Sequence, residues 1–382
     1  MGSVMRAATN KTRVLICDDS AFMRRVLQNI IAADPQLEVA GEARDGRDAV
    51  SQASLLQPDV ITMDINMPLM DGLQATEMIM SSNPKPIVIV SSESREGAHI
   101  TLKALELGAI DFVAKPSSGV DLDMQTVRED ICRKLKIASK VRVVRTASRS
   151  RLGQEIASSA PRIEPGLEPG PARPRFAPSL AIPEAKFPIV MIAASTGGPS
   201  TLMKMMPAFP QNFPAAVVLV QHMPGSFTGQ FSQQLADVCA LPVKEAEAGE
   251  ALAPGRAYVC PGASHMKISP SGRVTLTEGP RVNGYRPCAD IAMESAAACA
   301  GPLCIGVVLT GMGNDGMQGA LAIRQAGGYV VAQDEATSVI FGMNAEAIKA
   351  GAVDAVLPLE QIVATLEKRI LYLTGASRVG AL

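Results

Sequence analysis

Ser195 ends the apolar run "IVMIAAS", and Thr196, Gly197, Gly198 and Pro199 follow it. A serine hydroxyl is a weak nucleophile until a base lies within hydrogen-bond reach. Among the 3 histidines, His222 ends a similar run, "AAVVLVQH", so in a parallel sheet both residues reach the same edge. His265, in "GASHMK", reads as a binding residue or as a histidine satisfied within a hairpin, and His99 belongs to the first half of the chain. The base needs an acid to hold its tautomer. Asp315, in "MGNDGMQG" after the run "LCIGVVLTG", is favoured because its flanking glycines allow tight turns near a reacting atom. Asp334, in "VVAQDEATS", is the more serious rival. Asp290, in "RPCADIAMES", has the position of a helix cap. The amides of Thr196 and Gly197, at a turn whose Pro199 suits the first position of a helix, would face a developing oxyanion. That of Met312, in "TGMGNDG", would join them. Strand–Gly-Gly–helix junctions also occur where they bind phosphate or merely turn, and it is the histidine and aspartate at matching strand ends that favour a nucleophile.

A second constellation lies earlier. The first apolar run ends in Asp18-Asp19, the third in Asp64, the fourth in Ser91 and the fifth in Lys115 followed by Pro116. Ligands of an open parallel sheet bind outside the carboxyl ends of its strands, so these groups should converge. Three carboxylates together repel unless a cation joins them, and hard oxygen ligands with room for phosphate oxygens suit Mg2+. The lysine and the hydroxyl would then hold a phosphoryl group on Asp64. A single aspartate after a strand would be uninformative, because such residues often cap helices. Five polar residues at four strand ends in order are not.

The elements that must position these groups follow from periodicity. Over residues 12–140 the runs "RVLIC", "LEVAGEA", "PDVITMD", "PIVIVSS" and "DFVAKP" alternate with helix-period segments, the rhythm of βαβ units on a parallel sheet. Residues 141–186 become rich in Pro, Gly, Ala and Ser and read as a linker; the basic stretch 133–151 reads as a solvated helix end leading into it. Residues 187–374 return to alternation, with "GRAYVCPGASHMKISPSGRVTLTEG" reading as antiparallel hairpins inserted in the α/β order. The fold class expected is α/β: two doubly wound parallel-sheet domains, the second with an inserted antiparallel hairpin, joined by a Pro/Gly-rich linker.

Composition excludes several classes. The 382 residues carry 36 basic and 37 acidic side chains, a net charge of −1, which gives no global reason to bind nucleic acid or membrane. Trp is absent and aromatics are 3%, so bases would find few stacking platforms. The 7 cysteines include no CxxC pair and no zinc spacing, as expected of reduced thiols serving as small hydrophobes. The amino end has no apolar core of signal-peptide length, and no run is long enough to cross a membrane. A cytoplasmic location is expected.

Two resemblances add to this reading. Residues 12 to about 138 resemble the receiver domain of two-component response regulators. The resemblance implies Asp64 as phosphoacceptor, Asp18 and Asp19 as metal-binding pair, and the backbone carbonyl of Asn66 as a further metal ligand. It also implies Ser91 and Lys115 as switch hydroxyl and phosphate-binding lysine, with a cis Lys115–Pro116 bond. The order Ser, His, Asp and the replacement of GxSxG by a motif with Ala193 at its first position separate the second half from α/β-hydrolases. Its motifs "ASTGGP", "QHMP", "LTGMGNDG" and "AQDEATSVIFGM" resemble the chemotaxis protein-glutamate methylesterases.

That resemblance implies Ser195, His222 and Asp315 as a triad with Met312 near the oxyanion. The implied reaction is hydrolysis of glutamate γ-methyl esters, and deamidation of glutamines, on chemoreceptors through an acyl-enzyme. A chemotaxis histidine kinase would donate phosphate, Mg2+ would serve the receiver, and the esterase reaction would need no cofactor. In the family the unphosphorylated receiver covers the catalytic face. Asn344, in "FGMNAEAIKAG", stands where the family usually has proline and would cap a helix instead. The rival readings are a DNA-binding response regulator, against which the second half carries no basic patch, and a receiver-gated scaffold, which predicts no reactive serine.

Overall fold

The computed structural model describes residues 11–91, 95–115, 124–141, 143 and 187–375. The expected Lys115–Pro116 cis bond and residues 144–186 of the linker lie outside them.

In the first half, β1 (Thr12–Cys17), β2 (Leu37–Ala43), β3 (Val60–Asp64), β4 (Ile87–Ser91) and β5 (Asp111–Ala114) form a sheet of order β2-β1-β3-β4-β5, parallel throughout. Helices α1 (Ala21–Ala32), α2 (Gly46–Leu56), α3 (Gly72–Ser82), α4 (Arg95–Glu106) and α5 (Met124–Ala138) connect and follow the strands. Every residue of β3 and β4 is buried, as expected of strands covered on both faces. Their helices start on side-chain caps: Ser20 accepts from Met23 N for α1, and Asp71 with Gln74 forms a capping box for α3. Strand order reverses at β1, so the β1 and β3 ends flank the crevice where a doubly wound sheet binds its ligand.

The second half has seven parallel strands in the order β14-β13-β12-β6-β7-β9-β8. They are β6 (Ile189–Ala194), β7 (Ala216–Gln221), β8 (Val243–Glu245), β9 (Arg256–Val259), β12 (Cys304–Val308), β13 (Tyr329–Gln333) and β14 (Ala355–Leu357). Strand β6 is central, between β12 and β7, and all six of its residues are buried. The chain moves outward from β6 in both directions, which makes its carboxyl end the switch point. Helices α6 (Gly198–Met205), α7 (Gly225–Val238), α8 (Ala289–Ala300), α9 (Met317–Gln325), α10 (Met343–Lys349) and α11 (Leu359–Thr374) complete this half. The fold class agrees with the expectation, with one correction. Among the described residues only β10 (His265–Ile268) and β11 (Val274–Thr277) make an antiparallel hairpin of named strands, whereas "RAYV", assigned to it from sequence, is β9 of the main sheet and runs parallel to β7 and β8. Short runs with nearby turns look alike in both settings.

One buried hydrophobic cluster spans the two halves. Phe112 of β5 and Phe227 of α7 meet at 4.3 Å between ring centroids, and α4 packs on α7 and α6. Among the described residues no disulfide joins any of the seven cysteines. Among the described residues no helix is long and apolar enough to cross a membrane.

Candidate functional site

At the end of β6 the chain turns through Gly197 at φ +75, a conformation that favours glycine, and a Cβ there would lie 2.5 Å from that of Val339. Helix α6 starts immediately afterwards with Pro199 in its first turn. Ser195, 5% exposed, is held by its backbone: its N–H donates to Thr310 O (3.1 Å) and its carbonyl accepts from Gly198 N (2.7 Å) and Gln221 Nε2 (2.9 Å). His222 follows β7, its N–H donating to Ala194 O, so both residues sit on one sheet edge.

The imidazole is oriented from the third strand end. His222 Nε2 lies 2.7 Å from Asp315 Oδ2. The other nitrogen, Nδ1, is buried without a partner. Among the described residues Ser195 makes no hydrogen bond with the ring, but both line one cleft of about 570 Å3, open to further occupants. Apo geometries of such pairs are often loose. With Nε2 committed to the carboxylate, Nδ1 is the nitrogen free to take a proton.

Asp315 is 2% exposed and strongly held. It accepts from the amides of Ala289 (2.7 Å) and Asp290 (2.9 Å) at the start of α8, and from Cys288 Sγ. Burial alone would raise its pKa. The His222 contact and these amides outweigh burial and hold the carboxyl below its ordinary value. The charge of Asp315 adds to burial in pushing the Cys288 thiol up to about 12.

The rivals are accounted for. Asp290 accepts from Gly316 N and Gly319 N, both 2.8 Å. It therefore caps the start of α9 and not of its own helix. Burial, aided by the charge of Asp315, lifts its pKa to about 6. Asp334 accepts from Thr337 N and Oγ1 and organises a turn. His265 is buried in the hairpin, with Nε2 2.9 Å from Pro280 O and Nδ1 without a hydrogen-bond partner. Contrary to the expectation from sequence, Asn344 does not cap α10, whose N-cap is Gly342; fully buried, it donates to Gln333 O and Ser338 Oγ and ties β13 to the following loop.

The amides of Thr196, Gly197 and Met312 donate to nothing among the described residues, which leaves them available to an oxyanion. The sequence missed two neighbours. Tyr285 stacks on His222 (4.3 Å between centroids, 20° between planes) and its hydroxyl donates to Met312 O. Gln221 donates to two backbone carbonyls at the site. A glutamine ending a buried run was a usable signal, because a buried amide must find partners. Nothing marked Tyr285.

The first-half groups also converge. Ligand oxygens of Asp18, Asp19 and Asp64 lie within 4.8 Å of one another. Lys115 Nζ is 2.8 Å from Asp64 Oδ2 and 3.1 Å from Asp18 Oδ2. Asp18 is fully buried, with Oδ2 in the ion pair to Lys115 but in no aligned hydrogen bond; three carboxylates against one ammonium leave negative charge that a cation would offset. The carbonyl of Asn66 accepts nothing among the described residues. Burial raises the Asp64 pKa against the opposing pull of Lys115. Burial alone would lower that of Lys115, but its pairing with Asp64 and Asp18 outweighs this and raises it. Ser91 is buried at the next strand end, its hydroxyl 3.4 Å from Gly97 O.

The two halves meet at β5. Asp111 Oδ2 accepts from Thr196 Oγ1 at 2.7 Å, and Lys134 Nζ bonds Asp111 Oδ1 (3.2 Å) and Phe112 O (2.6 Å). Asp111, Phe112 and Asp130 line the cleft opposite Ser195.

Comparison with known proteins gives the family of both halves. Residues 190–366 match the CheB methylesterase family and residues 14–127 the response regulator receiver domain. The protein-glutamate methylesterase/protein-glutamine glutaminase of Pyrococcus abyssi is 45% identical over 373 residues, 97% of this chain and 96% of that protein. Its counterpart in Pyrococcus horikoshii is 44% identical over the same shares. The crystal structure of the Thermotoga maritima CheB methylesterase catalytic domain is 41% identical and covers 48% of this chain and 99% of that one, with a TM-score of 0.47. The chain belongs to the protein-glutamate methylesterase/protein-glutamine glutaminase family, chemotaxis hydrolases that carry a response regulator receiver domain.

Proposed function

We propose that Ser195, His222 and Asp315 carry out the esterase reaction and that the receiver restrains it until Asp64 is phosphorylated. The observation that carries the reading is the 2.7 Å His222–Asp315 contact, which leaves Nδ1 unpartnered in the cleft that Ser195 lines. Ser195 Oγ attacks the γ-carbonyl carbon of a methylated glutamate while His222 Nδ1 takes the hydroxyl proton. Asp315 stabilises the imidazolium through Nε2–H. The oxyanion turns toward the amides of Thr196, Gly197 and Met312. The C–OMe bond breaks and methanol leaves with the proton from Nδ1. Water then attacks the glutamyl ester, Nδ1 takes a proton from it, and Ser195 is restored. With a glutamine substrate the leaving group is ammonia.

In the receiver, residues 12–140, Asp18, Asp19, Asp64 and the carbonyl of Asn66 would hold a divalent cation. Mg2+ bound there neutralises charge on the phosphate oxygens. Asp64 accepts the phosphoryl group, and Lys115 and Ser91 bind its oxygens. A linker over 141–186 leaves the catalytic domain, residues 187–374, held by the docked interface. The substrates are chemoreceptors and the phosphodonor a chemotaxis histidine kinase, which sets both in the cytoplasm. Methanol release from methylated receptor, with and without a small phosphodonor, tests the reading: Ser195→Ala should abolish it and leave receiver phosphorylation intact. Turnover within tenfold of the parent would remove the nucleophile assignment.

A further inference from the structure

Gln221 is the last residue of β7 and is 1% exposed. A polar amide at the end of an otherwise apolar buried strand costs stability unless it is bonded. Its Nε2 donates to Ser195 O at 2.9 Å and to His222 O at 3.1 Å. One amide group thus bridges the backbones of the serine on one strand and the histidine on the next. The two carbonyls depend on it unequally. Ser195 O also accepts from Gly198 N, whereas His222 O accepts from nothing else among the described residues.

The amide has room because residue 198 is glycine. A Cβ there would lie 2.0 Å from Gln221 Oε1. That oxygen is itself buried without a partner, so the side chain is not placed for the benefit of its own carbonyl. Its donor end carries the interaction. On the opposite side of Ser195, a second buried glutamine completes the frame: Thr310 O accepts from Ser195 N, and Thr310 N donates to Gln333 Oε1 at 2.9 Å.

We infer that Gln221 is a positioning residue for the esterase reaction, fixing the backbone of His222 relative to Ser195 so that Nδ1 meets the hydroxyl. The inference rests on the proposed triad. Gln221 touches neither substrate nor the reacting atoms, and it acts through the main chain of the two residues that do. Misplacement by about 1 Å can cost on the order of 100-fold in rate, and the loss falls on kcat because substrate contacts are unchanged.

The test uses the full chain with phosphodonor and a peptide bearing a glutamate γ-methyl ester. Gln221→Met keeps the length and flexibility of the side chain and removes the donor. It should lower kcat about 10- to 100-fold with KM within twofold, and slow labelling of Ser195 by a fluorophosphonate in proportion. Gln221→Glu donates only when protonated, and its carboxyl, buried against two carbonyl oxygens, titrates above the ordinary range. Its turnover relative to the parent should therefore fall as pH rises, a dependence that Gln221→Met lacks. Ser195→Ala is measured alongside. If it abolishes turnover while Gln221→Met stays within threefold of the parent and Gln221→Glu keeps the parent's pH profile, the positioning role is wrong and the triad stands. If Ser195→Ala retains turnover, the triad itself is wrong. Should Gln221→Met fail to fold, the pH dependence of Gln221→Glu decides alone.

Discussion

Asp111→Ala tests the proposed restraint of the esterase by the receiver. The carboxylate is buried and accepts a 2.7 Å hydrogen bond from the hydroxyl of Thr196, the residue after the proposed nucleophile. Lys134, the other partner of Asp111, also lies 3.6 Å from Asp130 and so retains an acidic neighbour in the variant. A hydrogen bond to a charged group contributes about 1.5–3 kcal/mol net. When the domains separate, water replaces the carboxylate at Thr196, so this contribution belongs to the docked state alone. At about 1.4 kcal/mol per tenfold, its loss raises the open population roughly 10- to 150-fold while the closed form still dominates. The ceiling is the fully phosphorylated rate. The assay is methanol release from methylated receptor without phosphodonor, with phosphorylation of Asp64 as the control for an intact receiver. Basal turnover within twofold of the parent, with the stimulation by phosphodonor unchanged, would refute the argument that this contact restrains the site.

His222→Ala should lower turnover about as far as Ser195→Ala, several orders of magnitude, because the triad acts as a unit; His265→Ala, which loses only a bond to Pro280 O, should stay near the parent, and the reverse pattern in the same assay would exchange their roles. Asp64→Asn should keep basal activity and lose stimulation by phosphodonor with Mg2+, and persistent stimulation would point to Asp18 or Asp19 as acceptor. Removal of residues 1 to about 145 should give turnover equal to or above the unphosphorylated parent and indifferent to phosphodonor, with folding checked by circular dichroism. Asp290 has a folded pKa of about 6 against an ordinary 3.8, so the folded state holds the extra proton between those values and stability falls as pH rises through them. Asp290→Asn should accordingly melt above the parent at pH 7.5, by at most about 3 kcal/mol, with the gap closing as pH is lowered from 6 to 4; a gap independent of pH would show that the shift is absent.

Strand ends were the most legible part of this chain. In a parallel sheet buried on both faces, a strand reads as an apolar run, and the polar residue that stops it must stand at the ligand edge. That logic located Asp18, Asp64, Ser91, Lys115, Ser195 and His222 before any coordinates. What sequence did not reveal depends on contacts between distant segments. The Asp111–Thr196 bond joins residues 85 apart, and the stacking of Tyr285 on His222 comes from an irregular loop. Arg256–Val259 was misassigned because a four-residue run does not disclose its partner strand, and β8 and β14, of three residues each, are too short to show a period. Asn344 stands where the family usually has proline at a helix start, which suggests a cap, whereas a buried amide with two acceptors in reach answers to tertiary demand first.

The most direct test of the account is a fluorophosphonate reaction followed by peptide mapping, timed with and without phosphodonor. The account predicts one adduct, on Ser195, forming faster when Asp64 is phosphorylated and at an unchanged basal rate in Asp64→Asn. An adduct on another residue, or a Ser195 adduct whose rate ignores phosphorylation in the parent, would contradict it.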